Sequence, residues 1–492
     1  TAGFAACGYA QASGKIGLAY ATRGPGISNM FTAIAEAYQE SIPVVFITSH
    51  GKRDAIEGQR FGSNQELDIV ESVQNITKYA VNIDEIDQVI TCVTNALKAA
   101  TSGRKGPTLI DVAATLWDKE LDYCLPDQES EQPYGNYGAI FKEIGSAIFE
   151  ATRPVILIGD GLRYAAEKDE LLSLSEKLRV PVISSRGSQD LLSGSHYYFG
   201  YVGSHGIRYS NFIMSKADLI IAIGNRMAFP RNSSSFSPVI RNARIIRIDV
   251  DEGELKNEIS SEITYQFDVG CLIKGLSEIE RFPEAKEDWI TLCNQLKQEL
   301  NQEDCTDPVM KIAEYLLNEG AKTYVCDVGN NEFWFSRAYE KVQCTARLLI
   351  SKSFGTLGSA IGKAIGAYYA TGEKVVCVVG DQGFQYNIQE LQYIVSNQIP
   401  VKTLLINNMC SRMIEDHEMT KYDGKVIHVN KESGYQVPDF MRIVKAYGAE
   451  DNFSEIVVDE NIALSPNLPR DNACQDLHPA LDREKYYHLN EL

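Results

Sequence analysis

Lys374-Val-Val-Cys-Val-Val-Gly380-Asp381-Gln382-Gly383-Phe384-Gln385-Tyr386-Asn387 leads, through a connection closed by Pro400, into Val401-Lys-Thr-Leu-Leu-Ile-Asn407-Asn408. Val375 to Val379 is a short apolar run that stops at glycine, the pattern of a parallel strand buried on both faces. Ile388 to Val395 carries apolar residues at helical spacing (Ile388, Leu391, Ile394, Val395), and Val401 to Ile406 is a second apolar strand. The order strand, helix, strand predicts a doubly wound α/β sheet with these two strands as near neighbours. Asp381 and Asn408 then end adjacent strands at the carboxyl edge, where open α/β sheets bind ligands. Both offer hard oxygen atoms, which suit Mg²⁺, and a Mg²⁺ with few protein ligands usually holds a phosphate as well.

This stretch resembles the cofactor motif of thiamine-diphosphate enzymes: Gly-Asp-Gly, a spacer of this length, then Asn-Asn. Gln382 stands where the family has its second glycine, so the turn is expected to accommodate a side chain. The resemblance covers nearly the whole chain, in the order of the acetolactate synthase and 2-keto-acid decarboxylase superfamily. Phe4-Ala-Ala-Cys-Gly8-Tyr9-Ala-Gln-Ala-Ser-Gly14-Lys15 resembles Ala-Ala-Asp-Gly-Tyr-Ala-Arg-Ala-Thr-Gly-Lys. After a strand at Ile16 to Ala21, Thr22-Arg23-Gly24-Pro25-Gly26-Ile-Ser-Asn29 is similar to Thr-Ser-Gly-Pro-Gly-Ala-Thr-Asn, with Arg23 in place of a small residue. A strand at Pro43 to Thr48 leads into a long polar loop, Ser49 to Ser63, a functional candidate on its length; Gln65-Glu66 follows, as in the family's Phe-Gln-Glu.

The chain has 492 residues, room for about three domains. It is 44% hydrophobic and 23% charged, with a net charge of −19. That acidity argues against nucleic-acid and anionic-membrane partners. The 11 cysteines show no paired spacing, which fits a reducing cytoplasm better than a disulfide framework. No apolar run approaches the ~18 residues of a membrane span, and no signal peptide is visible.

Three doubly wound parallel-sheet domains are expected: a pyrimidine-binding domain at 1–125, a central Rossmann-like domain at 135–285 after an acidic linker (Pro126 to Tyr137), and a diphosphate- and metal-binding domain at 300–450, with a tail at 451–492. The middle domain opens with Arg153-Pro-Val-Ile-Leu-Ile-Gly159-Asp-Gly161, a strand into a glycine turn, with later strands at Val180 to Ser184, Leu219 to Gly224 and Arg244 to Val250. The full Gly-x-Gly-x-x-Gly fingerprint is missing, which argues against a nucleotide there. Tyr201-Val-Gly203-Ser-His205-Gly206 resembles Leu-Gly-Met-His-Gly of acetolactate synthases, whose central domain carries FAD. Gly224-Asn-Arg226-Met-Ala-Phe-Pro-Arg231 does not match the next segment of that site, so FAD is expected to be absent or loosely bound, and His205 to be a packed loop residue. In the third domain, Asp327-Val-Gly329-Asn330-Asn331-Glu-Phe-Trp334 resembles Asp-Val-Gly-Gln-His-Gln-Met-Trp, a diphosphate-contacting turn. Phe354-Gly355-Thr356-Leu357-Gly358 resembles the Gly-Thr-Met-Gly turn, and Ser433 to Phe440 also follows the family.

The resemblance implies thiamine diphosphate and Mg²⁺ as cofactors. Asp381, Asn408 and the carbonyl of Cys410 are the implied metal ligands. Pro25, Asn29, Asn330, Asn331, Thr356, Leu357, Gln382, Gly383 and Met413 are the implied cofactor contacts. Leu357 would hold the two cofactor rings bent, and Gln65 would stand beside the reacting atoms. The family's catalytic glutamate, which activates the aminopyrimidine as an internal base, aligns just before Thr1; the encoded protein is expected to carry it there, with a further helix between Gly448 and Ser454, unless the chain kept the fold and lost the acid. The family assembles its site between two chains, so a homodimer or homotetramer is implied. Three activities compete: an acetolactate-synthase-type carboligase on a 2-keto acid such as pyruvate; a lyase or decarboxylase on a sugar-derived or other acid, favoured by the unusual Arg23, Gln382 and Arg412; and a non-catalytic binding protein on the same fold.

Overall fold

A computed structural model describes residues 1–51, 64–123, 137–165, 168–203, 205–228, 243–256, 259, 262–278, 286–300 and 306–458. Most of the Ser49 to Ser63 loop, nearly all of the Pro126 to Tyr137 linker, Phe229 to Arg231 and the tail beyond 458 lie outside the described residues. The rest falls into two compact units. One is built from residues 1–131, 321–332 and 347–460, the other from 132–320 and 333–346.

The first unit holds two parallel sheets. One has the order Gly17–Tyr20, Val44–His50, Thr108–Ala113, Tyr79–Ile83. The other has the order Arg347–Ile350, Thr323–Cys326, Val375–Gly380, Val401–Asn407, Phe453–Val457. The Val375–Gly380 strand is central, and Val375 to Val379 are fully buried, as helices on both faces of a parallel sheet require. The last strand extends this sheet past the expected end at residue 450. A single 3₁₀ turn, Glu450–Asn452, joins helix Phe440–Tyr447 to it, in the connection expected to hold a further helix.

Chain order decides where the ligand edge lies. From Thr323–Cys326 the chain moves outward to Arg347–Ile350, then returns to the other side of its starting strand as Val375–Gly380. The gap between Thr323–Cys326 and Val375–Gly380 is therefore the topological switch point, where such sheets open a crevice. The helix expected at Ile388 to Val395 is found as Glu390–Ser396, and a short helix the sequence did not suggest, Asp381–Tyr386, precedes it; between the two, the Asn387 amide donates to the carbonyl of Gly358.

Helix Ala2–Ser13 packs on helix Ala360–Thr371 and ties the two sheets of this unit together. Beneath them lies a buried ion pair, Glu36 with Lys363. Burial disfavours the Lys363 charge, but Glu36 outweighs it and holds the amine above its ordinary range. Glu40 turns to the same seam, where its carboxylate accepts the backbone N–H groups of Lys352 (2.8 Å), Ser353 and Phe354 (3.0 Å). The loop that leads to Leu357 is thus anchored from the first sheet's side.

The second unit is a six-stranded parallel sheet in the order Glu262–Gln266, Arg244–Asp249, Leu219–Ile223, Pro154–Ile158, Val182–Ser185, Tyr198–Val202. Its glycine turn is closed by packing. A Cβ on Gly159 would stand 2.1 Å from the carbonyl oxygen of Gly224, so the glycine serves contact between two backbones. His205 stacks on Phe333 with ring centroids 4.2 Å apart, and burial lowers its pKa to about 4.

Candidate functional site

The carboxyl edge of the five-stranded sheet carries four loops that hold the candidate residues. Asp381 follows the central strand directly and is 4% exposed. Its carboxylate accepts the N–H of Gln382 at 2.9 Å, the O–H of Tyr435 at 3.2 Å and the N–H of Cys410. Burial dominates over these bonds and pushes its pKa up to about 6. The Cys410 bond joins the Asp381 loop to the loop after the neighbouring strand, which also carries Asn408; all three residues are buried. Met409 adopts a left-handed φ of 54°, and its N–H is held by Asn407 Oδ1 at 3.0 Å, which turns the chain sharply between Asn408 and Cys410.

Gln382 lies within helix Asp381–Tyr386, where right-handed backbone needs no glycine. Its Oε1 accepts from Ser411 Oγ at 3.2 Å, a second tie between the two loops. The steric demand falls instead on Gly383. A Cβ there would lie 2.1 Å from Asp327 Oδ2 and 3.4 Å from Leu357 Cδ1.

The third loop follows Thr323–Cys326. Asn331 Nδ2 donates to the Asp327 carbonyl at 2.8 Å. Asn330, first in helix Asn330–Lys341, is buried with neither amide atom hydrogen-bonded, and buried Thr356 Oγ1 has no partner either. Buried polar atoms are normally paired, so these groups fit a site that takes a polar ligand. Leu357 is half-buried between Gly355 and Gly358, and Met413 is half-buried near the start of helix Arg412–Lys421. Arg412 is held by carboxylates of its own helix, Glu415 at 3.2 Å and Asp416 at 3.0 Å.

The donor set fits Mg²⁺: a carboxylate, an amide oxygen and a backbone carbonyl are all hard ligands. The Cys410 thiol does not compete as a soft ligand, because burial and Glu415, 3.1 Å from its sulfur, raise its pKa. Among the described residues no cluster of three His, Cys, Asp or Glu side chains forms another metal centre.

Pro25, Asn29 and Gln65 form a second set. All three are exposed, Asn29 Nδ2 donates to the Pro25 carbonyl at 2.6 Å, and the Gln65 carbonyl lies 2.3 Å from where a Gly24 Cβ would be. Among the described residues no hydrogen bond links this set to the Asp381 loops.

Models of three domains match along the chain: the thiamine pyrophosphate enzyme N-terminal TPP binding domain at residues 1–72, the central domain at 141–276, and the C-terminal TPP binding domain at 327–469. The chain belongs to the thiamine pyrophosphate enzymes. Among these it is 30% identical to a probable acetolactate synthase large subunit of Methanococcus aeolicus, over 94% of this chain and 81% of that one. It is 31% identical to the acetolactate synthase large subunit of Lactococcus lactis subsp. lactis, over 90% and 77%. It is 29% identical to the chloroplastic acetolactate synthase 1 of Zea mays, over 90% and 72%. A thiamine-pyrophosphate-dependent enzyme of the acetolactate synthase type is the class these matches support.

Sequence reasoning singled out Asp381, Asn408 and Cys410; the structure bonds the Cys410 amide to Asp381 and buries Asn408 in the same loop as Cys410. It passed over Asp327, Ser411, Tyr435 and Glu40. Asp327 and Tyr435 stood inside quoted family stretches, but their bonds reach across 31 and 54 positions and leave no local signal.

Proposed function

We propose that this protein is a thiamine-diphosphate-dependent carboligase of the acetolactate synthase type, which decarboxylates a 2-keto acid such as pyruvate and joins the remaining fragment to a second carbonyl compound. The observation that supports the reading is Asp381, tied to the Cys410 amide beside Asn408, together with the unpaired Asn330 and Thr356 in the loops after two other strands of the same carboxyl edge. When bound, thiamine diphosphate supplies the carbon nucleophile and the electron sink for loss of CO₂.

The chain's own groups bind and orient. Asp381, Asn408 and the Cys410 carbonyl would hold Mg²⁺ against the diphosphate. Asn330 and Thr356 would donate to diphosphate oxygens, with the amino end of the twelve-residue helix Asn330–Lys341 favouring the negative charge. Leu357 would press against the cofactor rings. Gln382 accepts through its Oε1 from Ser411, which ties the Asp381 loop to the loop after the next strand. Exposed Pro25, Asn29 and Gln65 are read as the aminopyrimidine wall offered to a second copy of the chain, and a homodimer or homotetramer follows from that reading. Among the described residues no helix is long and apolar enough to cross a membrane. The cysteines among the described residues are all free, which supports a cytoplasmic protein.

A lyase acting on another acid is the second reading, and Gln382 at a family glycine is the observation that favours it. Product analysis separates the two. Incubation with pyruvate, Mg²⁺ and thiamine diphosphate yields acetolactate if the first is right; pyruvate left intact while another 2-keto acid is cleaved would support the second.

A further inference from the structure

Asp327 ends the strand Thr323–Cys326 on one side of the switch point and is fully buried. Its carboxylate accepts the N–H of Gly358 with both oxygens, at 3.0 and 2.8 Å, and the N–H of Ala360 at 3.3 Å. These two amides flank Ser359 immediately after Leu357, and Ala360 is the first residue of helix Ala360–Thr371. The N-cap residue of that helix, Ser359, makes no capping bond with its side chain; its hydroxyl donates to the Thr356 carbonyl at 3.1 Å. The capping task of a local Ser or Asp is thus performed by a carboxylate from another strand. On its far side that carboxylate meets Gly383, where a Cβ would come within 2.1 Å of Oδ2 and 3.4 Å of Leu357 Cδ1. The Asp327 carboxylate, the Leu357 side chain and the Gly383 backbone therefore converge on one point.

A buried carboxylate is costly, and burial raises Asp327 to about 7 despite its amide donors. A local cap would have stabilised the helix without that cost. What only the cross-strand cap adds is a fixed position of the Leu357 turn relative to the Asp381 loop.

We propose that Asp327 is a positioning residue for catalysis: it sets the Leu357 turn against the metal-binding loop, leaving the metal ligands themselves untouched. The proposal rests on the thiamine-diphosphate reading of this site. Asp327→Asn replaces an acceptor oxygen by an NH₂ group facing amide donors, and Asp327→Glu keeps the carboxyl group but lengthens the arm by one methylene. Three readouts judge them: amide hydrogen exchange in the protein without cofactor, the thiamine-diphosphate dissociation constant with Mg²⁺, and kcat with pyruvate per folded molecule. In Asp327→Asn, Gly358 and Ala360 lose exchange protection while Gln382 keeps it. Its cofactor affinity stays at the wild-type value, and kcat falls about 100-fold, the scale of an ångström-sized misplacement. Asp327→Glu shows the same split between kcat and affinity, and it carries the test if the asparagine variant does not fold. Wild-type kcat in either folded variant, even with a lowered Tm, would mean that Asp327 is structural only and would overturn the proposal. So would a loss of cofactor affinity that accounts for the whole loss in kcat. Failure of the wild-type protein itself to bind thiamine diphosphate would instead overturn the reading of the site.

Discussion

Leu357→Ala separates support of the cofactor from support of the fold. Leu357 is half-buried, in a turn fixed by Asp327 and by the glycines on either side. Fully buried Leu→Ala changes cost about 2–5 kcal/mol. With one side of this leucine already wet, less apolar surface returns to water, and the folding cost should stay below about 2 kcal/mol. At roughly 2–4 °C per kcal/mol for a unit of this size, Tm falls by less than about 8 °C. Turnover should fall much further, about 100-fold, if Leu357 has the role proposed for it of fixing the position of the cofactor rings. Mg²⁺-dependent affinity should suffer less, since the residues proposed to hold metal and diphosphate, Asp381, Asn408 and Asn330, are untouched. Calorimetric titration with thiamine diphosphate, a thermal melt and kcat on pyruvate, taken on one preparation, give the three numbers. Wild-type turnover, or a turnover loss fully matched by the loss in affinity, would refute the role given to Leu357.

Asp381→Ala should abolish Mg²⁺-dependent binding of thiamine diphosphate, read by the same titration with and without the metal; unchanged affinity would remove the metal assignment. Lys363→Ala leaves Glu36 buried without its partner and should cost about 3–5 kcal/mol of stability, measured by urea unfolding. Asp327, raised from 3.8 to about 7, stays protonated in the folded protein while the unfolded chain has already released that proton. Stability should therefore fall as pH rises from about 4 to 7, by up to about 1.4 kcal/mol per pH unit, and level off above; in Asp327→Asn this part of the slope should be missing from melts taken across the range. FAD is expected to be absent or loosely bound, so the purified protein should lack stoichiometric flavin absorbance.

The strands of the core were legible because each is buried on both faces and reads as a continuous apolar run, as at Val375 to Val379 and Leu219 to Ile223. The edge strand Glu262–Gln266 was not, since it carries Glu262, Thr264 and Gln266 in half-exposed or exposed positions and offers no apolar run. Tyr79–Ile83 hid for the same reason, with only Ile83 buried. Asp381 and Asn408 could be read from sequence because each ends a legible strand. The contacts that hold Asp381 and the Leu357 loop could not. Tyr435 reaches Asp381 from a loop 54 positions on, and Glu40 reaches Lys352 across 312. The fit of Gln382 depended on backbone: the position lies in a short helix, and the glycine the geometry requires is its neighbour Gly383.

The carboligase reading stands most directly on product formed from pyruvate alone. Purified protein is incubated with pyruvate and Mg²⁺, with thiamine diphosphate added or withheld, and the products are identified by nuclear magnetic resonance. The predicted result is acetolactate that appears only when thiamine diphosphate is added. Intact pyruvate under conditions where thiamine diphosphate is bound, or its decarboxylation without any carbon–carbon bond formation, would contradict it.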